Sequence, residues 1–232
     1  MRPTRNRDLT VIAVPNPVIK KIHEYYFLEL LLKEFPFMLN GWREKIMKTI
    51  KEDVQLASDG DDLIEKNMYS QYSNSIYEQT DFEENLFSQA IFMMVFSYYE
   101  TILHKMAIDN EVQDRPSAIC QKKGVLLSDK ATNAAVTIFS EARILRNYLC
   151  HNSAGTESEN DTEETCKILA TLSERGMINM NIERDENGEM VIGKSQLYGV
   201  SAEYTLDILN KEYLVLKELA AICGYSRHTS VG

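Results

Sequence analysis

Arg143-Ile144-Leu145-Arg146-Asn147-Tyr148-Leu149-Cys150-His151-Asn152 closes a helical pattern that opens at Ser128-Asp129. An α-helix turns about 100° per residue, which places Arg143, Arg146, Asn147, Cys150 and His151 within an arc of roughly 140°. The opposite side carries Ala131, Ala135, Ile138, Ala142, Leu145 and Leu149 at the i, i+3/i+4, i+7 spacing of a core-facing stripe. One long helix therefore buries one face and gathers a guanidinium, an amide and an imidazole on another.

The segment before it points to the same class of fold. Asp81 with Glu84 three residues on is a capping-box pattern, and it opens a run that includes Phe82, Leu86, Ile91, Val95, Phe96, Ile102 and Met106. Around its middle this helix is apolar on nearly every side, as befits a helix inside a bundle. Asp114 to Gly124, with Pro116 and Lys122-Lys123, reads as a loop. Toward the N-terminus, residues 1–17 read as a loose arm or edge strand. A helix over 18–33 stops near Pro36, and a second runs from Asn40 to Ala57 until Asp59-Gly60-Asp61-Asp62 ends it. Met68 to Gln79 is polar and reads as a connector.

Toward the C-terminus, the acidic segment Glu157 to Glu164 suits the first turn of a helix that ends at Gly176. Residues 177–183 and 189–192 flank Asp185-Glu186-Asn187-Gly188, a hairpin signal. A last helix spans 201–223. The expected fold is mostly α: a helical bundle with extra N-terminal helices and a small β-hairpin near 177–193. Its expected organisation is an arm and packing helices over 1–80 against a core domain over 81–232.

A chain of 232 residues can bury a full core, and a net charge of −10 argues against a protein that coats duplex nucleic acid through many phosphate contacts. A small local basic site remains compatible with it. Cys120, Cys150, Cys166 and Cys223 lie far apart with no zinc-like spacing, so reduced thiols are expected. The run Leu9 to Val14 is too short for a signal-peptide core, and the uncharged run Ala90 to Tyr99 is about half a bilayer span. The expectation is a soluble, cytoplasmic protein without a membrane partner.

An Arg followed at some short distance by a His carries little information in this composition. Arg146 followed at once by Asn147, with His151 five residues after the Arg, is expected by chance in roughly one per cent of such sequences. Arg146-Asn147-x-x-x-His151 resembles the RNxxxH form of the R-x4–6-H motif of HEPN domains, helical ribonucleases of toxin–antitoxin, abortive-infection and CRISPR systems. The preceding helix, with Tyr98-Tyr99-Glu100 and Leu103, resembles the first core helix of such domains, and the likeness covers residues 81–175.

That resemblance implies a metal-independent, cofactor-free endoribonuclease that uses the ribose 2′-OH as nucleophile and leaves a cyclic phosphate. Arg146, a permanently charged planar fork, suits the charge that gathers on the phosphoryl oxygens. His151 titrates near neutrality and suits proton transfer, while Asn147 would orient the imidazole or bind the phosphate. Arg143, Lys122 and Lys123 are candidate RNA contacts, and Glu100 a support that holds the motif helix. Single-stranded or looped RNA is the expected substrate, because in-line attack opposes duplex geometry.

One histidine does not easily serve as base and acid in one turnover. The resemblance implies that two protomers pool their motifs, and Val136 and Phe139, apolar on the motif sector, would form the interface together with Cys150. An antitoxin or other regulatory partner is expected for such an enzyme. The bland alternative is a non-catalytic helical dimer, an interaction or regulatory module in which Arg146 and His151 are merely a surface Arg and a helix-terminal His. Glu100 and His104 are one turn apart, but no second His/carboxylate pair joins them, so no metal site is expected.

Overall fold

The structure, a computed structural model, describes residues 17–59, 61–152, 163–191 and 195–225, apart from the side chains of residues 17, 19–21, 23, 151 and 152. The expected N-terminal arm, the acidic run before Glu163 and the chain release after Asn152 lie outside the described residues. The protein is mostly helical with a small two-stranded antiparallel sheet.

Two long helices dominate. Helix α1 spans Pro17–Ala57 and α2 spans Asp62–Asp109. The expected stop at Pro36 does not occur: α1 runs through it to Ala57, so the two N-terminal helices are one. Proline in a helix removes one hydrogen bond and strains the turn before it, and here packing outweighs that cost, with Phe35 stacked on Phe87 at 3.4 Å between centroids. The expected connector over 68–79 is helical too, and α2 starts at Asp61, whose carboxylate accepts from the amides of Leu63 and Ile64. Asp81 is no cap. It lies inside α2 and holds Arg43 of α1 at 2.8 Å, while the Arg43 Nε–H donates to Thr80 at 2.8 Å.

These contacts fix the pairing of α1 and α2 as an antiparallel hairpin. Tyr25 meets Tyr98 edge-on, and Tyr98 donates to Glu24. Near the base of the hairpin, Val18, Ile22, Tyr25, Leu28 and Leu32 join Ile91, Phe92, Val95, Phe96, Ile102 and Met106 in the core. By length and composition α2 is apolar enough to cross a membrane, and 39% of its most apolar stretch is buried in the protein.

Helix α3, Pro116–Lys123, replaces the loop expected at 114–124. Pro116 occupies its first turn, where no amide hydrogen bond is lost, and Gly124 closes it at φ +67°, a left-handed conformation that favours glycine. The motif segment divides into α4, Asp129–Thr137, a π-turn over Ile138–Ala142, and α5, Arg143–Asn152. Ser128 caps α4 by accepting from the amide of Ala131. Helix α6 spans Glu163–Glu174, and α7 spans Ala202–Ile222 through the middle of the body, against α1, α2, α3 and α4.

Strand β1, Ile178–Asn181, pairs antiparallel with β2, Gln196–Val200. Of the expected partner segment 189–192, the described residues 189–191 do not form that strand. They return from a tight turn over 185–188, where Asp185 takes the amides of Asn187 and Glu189, and a single bridge joins Arg184 to Met190. The register slips between Asn179 and Met180, which leaves Tyr198 as a bulge residue. Its free carbonyl accepts from Gln89 of α2 at 2.7 Å. Gly199 then lies against α2, where a Cβ would come within 3.1 Å of the Asn85 carboxamide carbon.

Candidate functional site

The candidate site forms where α5 crosses α2. Arg146 donates through Nη2 to Glu100 of α2 at 3.1 Å and through Nη1 to the Asn147 side-chain oxygen at 3.1 Å. The Phe96 ring lies 6.0 Å from the guanidinium carbon. Arg146 keeps 31% of its side chain exposed and Glu100 keeps 44%, so the pair is solvent-accessible and contributes about 0.2–1 kcal/mol to the fold. The Arg146 Nε–H is buried and meets no acceptor among the described residues. Because Asn147 accepts through its oxygen, its amide NH2 remains as a second donor beside the guanidinium.

Helix α5 thus presents Arg146 and Asn147 together, steadied by a carboxylate from another helix. His151 belongs to the last turn of α5, one turn beyond Asn147. Its side chain lies outside the described residues. Arg143 stands one turn earlier and is exposed, with its guanidinium carbon 4.7 Å from the Phe139 ring. Val136 and Phe139 are 60% and 56% exposed, apolar surface on the side of the helix that carries Arg143, and Cys150 is half-buried.

Lys122 and Lys123 are not part of this cluster. They are the last residues of α3, and Lys123 lies near Cys223 at the far end of α7. Glu212, which lies close to Glu100, is eleven residues back along α7, about 16 Å at 1.5 Å per residue. His104 does not join Glu100 either. It pairs with Asp114 at 2.5 Å, and no group of three metal-ligating side chains occurs among the described residues.

Behind the ion pair lies a group that the sequence reading passed over. Glu212 of α7 is fully buried and accepts from the Tyr25 hydroxyl at 3.1 Å, while its other oxygen meets no donor among the described residues. Burial, and secondarily the charge of Glu100, push its carboxyl well above the usual glutamate range, against the opposing effect of the Tyr25 hydrogen bond. Burial likewise raises the neighbouring Tyr25 and Tyr99 hydroxyls. The signal was present in the sequence: Thr205, Ile208, Leu209, Glu212, Leu216 and Leu219 share the core-facing spacing of α7, and one of them is a carboxylate.

Arg146 and Asn147 can hold an anion at the protein surface, and the Glu100 partner fixes the plane of the guanidinium. No protein-family model, curated protein or solved structure matches the chain.

Proposed function

We propose that the protein is a HEPN-type, metal-independent endoribonuclease. It acts on single-stranded or looped RNA by 2′-OH attack at a composite site in a homodimer, as a toxin or phage-defence effector restrained by an antitoxin or other regulatory partner. The observation that carries this reading is the oriented Arg146. A guanidinium held by Glu100 from a second helix, with the Asn147 amide beside it and His151 one turn on, matches the needs of phosphodiester cleavage. Arg146 neutralises charge developing on the phosphoryl oxygens, and His151 moves the proton of the 2′-OH or of the leaving 5′-oxygen. The exposed Val136–Phe139 face is the surface on which two motifs would meet.

The rival reading is a non-catalytic helical dimer that works as an interaction or regulatory module. The same ion pair favours it, because an Arg already engaged by Glu100 also serves to tie α5 to α2. One assay separates them. Purified protein with bulk RNA and EDTA should give fragments with cyclic-phosphate ends, and Arg146→Ala or His151→Ala should abolish them with helix content unchanged. Cleavage retained by both variants would overturn the catalytic assignment, and no cleavage by the wild type on any unpaired RNA would leave the interaction module.

A further inference from the structure

The distal half of the α1–α2 hairpin cannot bury its own apolar residues. Contacting residues on the two helices have numbers that sum to between 120 and 124, as in Phe35 with Phe87, Arg43 with Tyr77, Thr80 and Asp81, and Tyr25 with Tyr98. Beyond residue 36 on α1 and before residue 86 on α2, Leu39 and Val54 are the buried apolar side chains among the described residues. This arm is roughly 32–36 Å long at 1.5 Å per residue.

Seven of its ten exposed large apolar side chains among the described residues fall on two stripes, with Phe37, Leu63 and Tyr77 lying off them. On α2, Ile64, Tyr72, Phe82 and Leu86, with half-buried Met68 between them, fall within about 80° of helical rotation. On α1, Met38, Trp42 and Leu56 fall within about 40°. Each stripe lies about 90° to the same side of the surface its helix turns toward the other. In an antiparallel pair, equal rotations of that sense bring both stripes to one flat face. The pairing register also layers them, with Leu56 level with Ile64 and Met68, and Met38 level with Phe82 and Leu86.

We infer that this face is a self-association surface, and that its occupant is the same face of a second copy, giving a four-helix bundle. Two two-helix layers closing over one core is the ordinary way such a face is buried. Charge selects the arrangement. Distal α1 carries Arg43, Lys45, Lys48 and Lys51 against three acids, whereas α2 over 62–86 carries six acids against Lys66. Laying α1 of each copy over α2 of the other brings opposite charges together at the rim, and laying α2 on α2 brings acids together. The seven exposed stripe residues offer on the order of 800 Å² per copy, taking about 200 Å² for a fully exposed large side chain, which is the size of a standard interface.

This pairing does not rest on the nuclease reading. The test is sedimentation of the full chain over a concentration series up to about 100 μM, with circular dichroism to confirm helix content. Wild type should associate. Tyr72→Lys with Leu86→Lys places charge in the closed core and should weaken association at least about 100-fold. Leu63→Lys, equally exposed on the same helix but off the stripe, should leave it unchanged. Phe139→Asp tests the α4–α5 face and separates that contact from this one. A wild type that stays monomeric overturns the inference, whether or not vesicles or a foreign helical protein then bind the face. So does an association state that resists the paired Lys substitutions or is lost with Phe139→Asp alone.

Discussion

Replacing Glu212 by Gln should remove a pH dependence of stability that the wild type carries. In the folded protein the carboxyl is sealed among Tyr25, Tyr99 and the core, and burial before all else holds it protonated well above the ordinary glutamate range. In the unfolded chain it ionises near roughly pH 4.3. Below that value both states hold the proton, and the buried carboxyl contributes its full share of stability. As pH rises, the unfolded chain releases a proton that the folded protein keeps, so stability falls by about 1.4 kcal/mol per pH unit until the raised folded value is reached. Glutamine has nearly the same volume, still accepts from the Tyr25 hydroxyl, and cannot ionise. The stability difference between Glu212→Gln and wild type should therefore grow, by up to about 1.4 kcal/mol per pH unit, as pH rises from the unfolded value of roughly 4.3 toward the raised folded value, and be small or reversed near pH 4. Urea titrations followed by far-UV circular dichroism, at constant ionic strength, measure this difference and cancel every titration the two proteins share. A difference that stays flat across that range would refute the reasoning, because it would mean that Glu212 ionises in the folded protein at its usual pH.

Under the proposed nuclease function, Glu100→Gln should lower RNA cleavage several-fold while shifting unfolding free energy by less than about 1 kcal/mol, since the ion pair with Arg146 is solvent-accessible; cleavage rates and urea midpoints read the two effects separately. Gly199→Ala should destabilise by about 1–3 kcal/mol, because the new methyl group meets the Asn85 carboxamide on α2. Adding Asn85→Ala should recover part of that loss, and a strictly additive double variant in thermal denaturation would show that the two positions are not in contact.

The helical class of the fold was readable because its signals are local. Ser128 caps α4, the stripe Ala131, Ile138, Ala142 and Leu145 is buried, and Gly176 ends the helix before the sheet. What failed was punctuation. Pro36 reads as a stop and Met68–Gln79 as a connector when each is judged alone. Inside an antiparallel pair, Phe35 on Phe87 and Arg43 on Thr80 and Asp81 supply the tertiary contacts that override propensity. Strand pairing failed for a related reason: the Asn187-Gly188 turn is present, but β1 gains more by pairing with Gln196–Val200, which is anchored to α2 through Ser88, Gln89 and Gly199. In the site, Glu100 and Arg146 were legible as residues, whereas Glu212 gave itself away only as a charge on an apolar stripe.

The π-turn shows how the site comes to point where it does. Helix α4 is pinned at its start to α7, where Glu218 accepts from both the amide and the hydroxyl of Ser128. At the far end, Arg146 is tied to α2 by Glu100, and Tyr148 donates to the Ser195 carbonyl. Helix α4 rests on α7, whereas α5 rests on α2 and α6. A regular helix would keep one face toward one neighbour along its whole length. The turn over Ile138–Ala142, in which the Arg143 amide reaches back five residues to the Ile138 carbonyl, takes in extra chain and makes the following side chains lag in rotation. Downstream the buried set departs from the regular stripe: Tyr148 is buried and Leu149 is only half-buried. The same lag brings Arg146 over Phe96 and within reach of Glu100. Register, set by what α7 and α2 hold at either end, is therefore what assembles Arg146 and Asn147 beside Glu100.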